Sequence, residues 1–99
     1  MEIYHLTETV HCVKILPDNF EDVLSKKMSF QIRKYDRDYK VNDFLYLKEF
    51  EEGYTGRSTP VKINHILKES DGLKEGYILL NIKVVGLLIR DGKRYSQKL

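Results

Sequence analysis

Apolar residues recur at every second position in several separate stretches of this 99-residue chain, and at helical spacing in only one short segment. Alternation at two puts successive side chains on opposite faces of an extended strand, so the pattern predicts a mainly β protein. In residues 10–15, Val10, Cys12 and Lys14 alternate with His11, Val13 and Ile15, and Pro17 bounds the run. In residues 29–35, Phe30 and Ile32 oppose Ser29, Gln31 and Arg33, which predicts a half-buried strand with one apolar and one polar face. Residues 36–43 read as a polar connection with Val41 its only aliphatic side chain, and the Asn42-Asp43 turn signal precedes a strand beginning at Phe44. Residues 51–58, with Gly53 and Gly56, read as a loop. Val61, Ile63, His65 and Leu67 then alternate with Lys62, Asn64 and Ile66 in a further strand. Asp71-Gly72 and Glu75-Gly76 bracket a second loop. Residues 77–89 are β-rich, with Gly86 as a bulge or bend, and Asp91-Gly92 predicts a final hairpin turn.

The single helical segment is PDNFEDVLSKK. Pro17 fits the first turn, Asp18 and Asn19 are candidate caps for exposed N–H groups, and Glu21 and Asp22 suit the positive helix end. Phe20, Val23 and Leu24 supply the buried face, and Lys26 and Lys27 suit the C-terminal end. Five or six strands, one helix after the first and no strand–helix alternation exclude a doubly wound fold. They predict a mainly β, α+β architecture, a small barrel or strongly curved sheet of the kind that closure protects from edge pairing.

Ninety-nine residues suit one domain spanning 1–99, with a surface cleft rather than a deep cavity as its site. One cysteine, Cys12, excludes a disulfide framework and a Cys-rich zinc site and suits a reducing cytoplasm. The acidic start has no secretory pattern, and the apolar-rich run 77–89, broken by Asn81, Lys83 and Gly86, is too short for a membrane span. His5, His11, Cys12 and His65 lack the spacing of a metal site, so no metal or other cofactor is expected. His65 reads as a half-buried strand histidine and Cys12 as a small core residue. No phosphate-binding Gly-Lys-Ser loop or nucleophile elbow is present.

A formal charge of +2 is too small for the whole molecule to act as an electrostatic binder, so local patterning has to carry function. The segment SKKMSFQIRKYDRDYK is the informative one: residues 26–40 hold six basic and two acidic side chains. Its polar strand face offers Ser29, Gln31 and Arg33, with Lys26, Lys27, Lys34, Arg37 and Lys40 around it. Arginine grips phosphate through paired N–H bonds, a carboxamide pairs with a base edge, and Tyr35 or Tyr39 can stack on a base. Each has a structural alternative: Arg33 pairing with Glu49 or Asp36, and the tyrosines as ordinary strand and loop aromatics. The 51–58 segment adds Tyr54, Thr55 and Arg57, which suit either the same ligand or a solvated hairpin.

The stretches HCVKILPDNFEDVLSKKMSFQIRKYDRDYKVNDFLYLKEF, GYTGR and GLKEGYILLNI resemble the ASCH-domain superfamily, a PUA-like β-barrel group. Within it the chain is most similar to a small bacterial and phage-associated family designated domain of unknown function 3850. The resemblance covers about residues 10–83 and leaves 84–99 as a C-terminal extension. It implies a barrel flanked by a helix, with a cleft for RNA or a nucleotide. One branch of the superfamily hydrolyses acylated cytosine nucleosides with a Lys and a Thr, at whose positions this chain carries Met28 and Gln31. Methionine has no titratable nitrogen and a carboxamide is neither nucleophile nor base, so that mechanism is disfavoured.

Three functions follow as expectations. The first is a non-catalytic module binding single-stranded RNA or a nucleotide through Lys26, Lys27, Ser29, Gln31, Arg33, Lys34, Arg37, Tyr54, Thr55 and Arg57. The second is a small amidohydrolase acting on modified nucleosides, with Lys27 and Glu49 as acid–base candidates. The third is a protein-interaction module that pairs its 77–89 strand with a partner chain.

Overall fold

A computed structural model describes residues 3–5, 7–69, 72–86, 88–90 and 93–94. The chain runs β1 (Tyr4–His5), β2 (Val10–Ile15), α1 (Pro17–Leu24), β3 (Phe30–Lys34), β4 (Phe44–Phe50), β5 (Tyr54–Leu67), β6 (Tyr77–Val84), β7 (Leu88–Arg90) and β8 (Lys93–Arg94). The main sheet has five strands in the order β2-β4-β5-β6-β3; a small one has the order β1-β7-β8. Only β2 and β4 pair in parallel within the main sheet, because α1 follows β2 and β3 is then placed on the far edge. The sheet curls into a half-barrel, as the alternating pattern predicts, with its helix after the first main-sheet strand. No helix among the described residues is long and apolar enough to cross a membrane.

The core lies on the face of the sheet that α1 covers. Val13 and Ile15 of β2, Leu45 and Leu47 of β4, Val61 and Ile63 of β5, and Ile78, Leu80 and Ile82 of β6 meet Phe20 and Val23 of α1 there. Fully burying side chains of this size contributes roughly 1.5–3 kcal/mol each before entropy is subtracted. Phe44, Tyr46 and Val85 form a smaller cluster on the opposite face, with Val10 packed against them.

Several local expectations are corrected. Neither Asp18 nor Asn19 caps α1: Leu16 is the N-cap and makes no side-chain bond, while Pro17 opens the first turn as expected. Leu24 is exposed, because the short helix presents only Phe20 and Val23 to the sheet. The helix ends on a left-handed residue, Lys26 at φ 65°, whose N–H donates to the Val23 carbonyl. The 51–58 loop shrinks to residues 51–53, since Tyr54 already pairs with Phe50 and its ring meets that of Phe50 at 5.2 Å. Glu52 at φ 58° and Gly53 at φ 150° make that reversal, and β5 then runs 14 residues, through Thr55 and Arg57.

The phase of β3 is the reverse of the expected one. Gln31 and Arg33 lie opposite Leu80 and Ile78 and therefore face the core, leaving Phe30 and Ile32 outward and exposed. In β5 a register shift between Ile63 and His65 breaks the alternation, so His65 is exposed and Ile66 packs on the core. Cys12 is also exposed, on the outward face of β2. β6 is flanked by β5 and β3 on its two edges, so the backbone of that part of the 77–89 run is already paired inside the sheet. The chain leaves the sheet after Val84 and resumes in β7, consistent with a bend near Gly86. Asp71, Asp91 and Gly92 lie outside the described residues, although β7 and β8 pair antiparallel on either side of the last two.

Candidate nucleic-acid interface

Curling brings the edge strands β2 and β3 toward one another, and the seam between them is where the basic residues gather. Arg33 crosses it. Its Nη2 donates to the Lys14 carbonyl at 2.7 Å and to Gln31 Oε1 at 3.1 Å. Neither of the expected carboxylate partners, Glu49 or Asp36, takes these bonds. Burial pushes the guanidinium pKa below the usual arginine value, with Tyr39 offsetting part of that, and the group stays charged. Gln31 is held as well, its Nε2 donating to the Phe30 carbonyl at 3.2 Å and to Met28 Sδ at 3.3 Å. Expected at a base edge, Gln31 is buried and accepts a hydrogen bond from Arg33.

Along the seam runs a groove of about 320 Å³. Cys12, Val13 and Lys14 form one wall, Arg33, Lys34, Asp36 and Arg37 the other, and Tyr39 and Tyr54 complete it. Four cations therefore face one carboxylate. Asp36 lies 3.7 Å from Arg37 Nε, and both side chains are substantially exposed, so this pair adds little and leaves Arg37 able to meet an anion. Lys14 lies on β2, outside the basic stretch that the sequence highlights, and its ammonium sits 4.2 Å from the Phe50 ring centroid.

Tyr39 is buried, and its ring packs 4.8 Å from that of His11. Burial raises its hydroxyl pKa, partly offset by Arg37 and Arg33. His11 Nε2 lies 2.9 Å from Asp43 Oδ2, which also accepts from the Lys40 N–H at 3.1 Å; Asp43 Oδ1 accepts from the Thr9 N–H at 3.3 Å. Asp43 thus ties β2 to the segment that carries Arg37 and Tyr39. By composition residues 36–43 are a simple polar connection; the alternation that turns His11 inward is the one sequence signal for a buried polar partner.

The ten expected site residues separate into distinct places. Arg33, Lys34, Arg37 and Tyr54 meet at the groove, with Gln31 behind Arg33. Lys26 and Ser29 border a separate cavity of about 210 Å³ floored by Val23, Met28, Ile82 and Val84. Ser29 and Lys34 are separated by roughly 17 Å of extended chain. Lys27 is exposed in the bend after α1. Thr55 and Arg57 belong to an acidic cluster instead: Thr55 Oγ1 donates to Glu49 Oε1 at 2.7 Å, and Arg57 hydrogen-bonds Glu21 and lies 3.6 Å from Glu49. The bond to Glu21 raises the Arg57 pKa. Tyr35 turns to a third cavity, where its hydroxyl accepts from Lys68 Nζ at 3.3 Å. Among the described residues no three His, Cys, Asp or Glu side chains converge as a metal site.

The family described as "Domain of unknown function (DUF3850)" matches residues 10–82, from the first residue of β2 into β6. This chain belongs to that family. The DUF3850 match contains every residue lining the groove and leaves out β1, β7 and β8, so it is the curled sheet with its helix that carries the likeness. The chain is also 36% identical over 81 residues to a protein of Escherichia phage P2 described as "Uncharacterized 12.9 kDa protein in GpA 3'region", covering 81% of this chain and 72% of the phage protein.

Proposed function

We propose that this DUF3850 domain is a non-catalytic module that binds single-stranded RNA or a nucleotide in the seam groove. The observation that supports this best is the convergence of Lys14, Arg33, Lys34 and Arg37 in one groove with two tyrosines and a single carboxylate. Cations along a groove follow a phosphate backbone, and an exposed aromatic ring offers a base a stacking surface. Tyr54, 44% exposed, is the stacking residue, while buried Tyr39 serves as a wall. Arg33, held by the Lys14 carbonyl and Gln31, presents its remaining N–H groups without having to be ordered by the ligand. The resemblance to the ASCH superfamily points the same way, and a cytoplasmic location would suit both ligand and lone thiol. An amidohydrolase centre on Lys27 and Glu49 has less support, because Glu49 is buried and engaged by Thr55 while Lys27 lies in the exposed bend.

The test is fluorescence anisotropy of labelled short RNA and DNA strands between about 50 and 200 mM salt. Saturable binding that weakens with salt is expected, and a preference for RNA would implicate the 2′-hydroxyl. Absence of strand binding at the lowest salt overturns the single-strand reading and moves the test to mononucleotides.

A further inference from the structure

Beside the groove, three polar side chains form a row across neighbouring strands on the outward face of the sheet. Lys14 of β2 is in register with Lys48 of β4, and Lys48 is in register with Ser58 of β5. Like charges directly opposite one another on neighbouring strands repel. The arrangement is costlier still because Lys48 is only 4% exposed, and neither its Nζ nor Ser58 Oγ, both buried, has a hydrogen-bond partner. A buried ammonium without a partner is normally avoided, because desolvation is not repaid. Aromatic rings stand beside the two ammonium groups: the Tyr54 centroid lies 5.4 Å from Lys48 Nζ and 5.7 Å from Lys14 Nζ, and the Phe50 centroid 4.2 Å from Lys14 Nζ. Cation–π contact compensates only part of the cost.

We infer that Lys14, Lys48 and Ser58 form a phosphoryl subsite at the end of the groove, with Tyr54 as its cover. The inference rests on the nucleotide reading above and adds what that groove selects, namely a terminal phosphate monoester over an internal diester. Two neighbouring ammonium groups, one of them desolvated, balance the near-double charge of a monoester at neutral pH, whereas a diester carries one charge and leaves an ammonium unmatched. The serine hydroxyl supplies a further donor to the phosphate oxygens. Tyr54 follows the Glu51–Gly53 reversal, and Gly56 two residues on is at φ 93°. Rotation of the Tyr54 ring away from the row exposes Lys48 to an entering phosphate and frees that ring to stack on the attached base.

Two measurements on the full chain separate this inference from the broader one. Titration with inorganic phosphate and with adenosine monophosphate, followed by NMR, should shift the Lys14, Lys48, Ser58 and Tyr54 signals saturably; adenosine should leave the Lys48 signals in place. In anisotropy, an RNA strand with a 5′-phosphate should bind about tenfold more tightly than its 5′-hydroxyl counterpart. Lys48→Met should remove that difference while keeping the hydroxyl strand's affinity, and Ser58→Ala, which is sterically mild, should reduce it. Binding of both strands with equal affinity overturns the subsite and leaves the groove reading intact. Phosphate shifts without any strand binding uphold the subsite and overturn the polymer reading. Unmoved Lys48 signals with phosphate and adenosine monophosphate overturn the subsite whatever the strands do.

Discussion

Arg57 and Arg37 are both exposed arginines that the sequence offers for the same task, and the fold sets them in opposite electrostatic surroundings. Arg57 emerges from β5 beside α1 and meets two carboxylates, Glu21 and Glu49, while its guanidinium lies 4.7 Å from the Phe20 ring centroid. Arg37 emerges beside the seam, where Lys14, Arg33 and Lys34 outnumber Asp36. A cation whose charge is already matched contributes little to an incoming phosphate, and one among other cations contributes through ion release and direct contact. The same distinction applies to Arg33, whose protein partners are a carbonyl and a carboxamide, so its positive charge is oriented without being neutralised.

Phe20, under the charge-matched Arg57, carries the largest stability effect. Phe20→Ala should cost about 3–5 kcal/mol of stability, since its side chain is essentially fully buried. Urea unfolding reads that loss, and groove binding measured well below the unfolding midpoint should persist. Next in size is the groove: Arg33→Ala should weaken RNA binding about tenfold and lower the salt slope by about 0.7, the share of one phosphate contact on a single strand. An unchanged slope would remove Arg33 from the phosphate-binding set. The alkaline pH dependence of stability reports the burial of Tyr39 independently. Tyr39 ionises above its ordinary value of about 10 because burial disfavours its anion, so the unfolded chain loses that proton first. Stability should therefore fall as pH rises through about 10, and Tyr39→Phe should reduce the fall in urea midpoints, with Tyr46, raised by the same cause, accounting for a further part. The smallest stability effect is at the helix end, where Lys26→Gly relieves a left-handed residue and should stabilise by about 0.5–1 kcal/mol. It should leave the groove unaffected.

The mainly β architecture, the helix after β2 and the basic wall of the groove were legible because they depend on period and local charge. The inward turn of Gln31 and Arg33 was not. Hydrophobicity alone assigns Phe30 and Ile32 to the core, whereas pairing of β3 with β6 sets Gln31 opposite Leu80 and turns the strand over. The division of the ten candidate residues was equally hidden. Thr55 and Arg57 follow Tyr54 closely in sequence, but their acidic partners come from α1 and β4, and no local pattern announces that meeting. Lys14 and Lys48 are hidden for a related reason: each stands alone in its own strand, and only the parallel register of β2 and β4 makes them neighbours.

The most direct measurement of the account compares salt slopes for RNA binding between about 50 and 200 mM salt in the parent chain, Lys34→Ala/Arg37→Ala and Arg57→Ala. The account predicts saturable, salt-weakened binding, a slope shallower by about 1.4 in the double variant, and an unchanged slope in Arg57→Ala. A slope that falls only with Arg57→Ala, or a parent chain that binds no strand at the lowest salt, would contradict it.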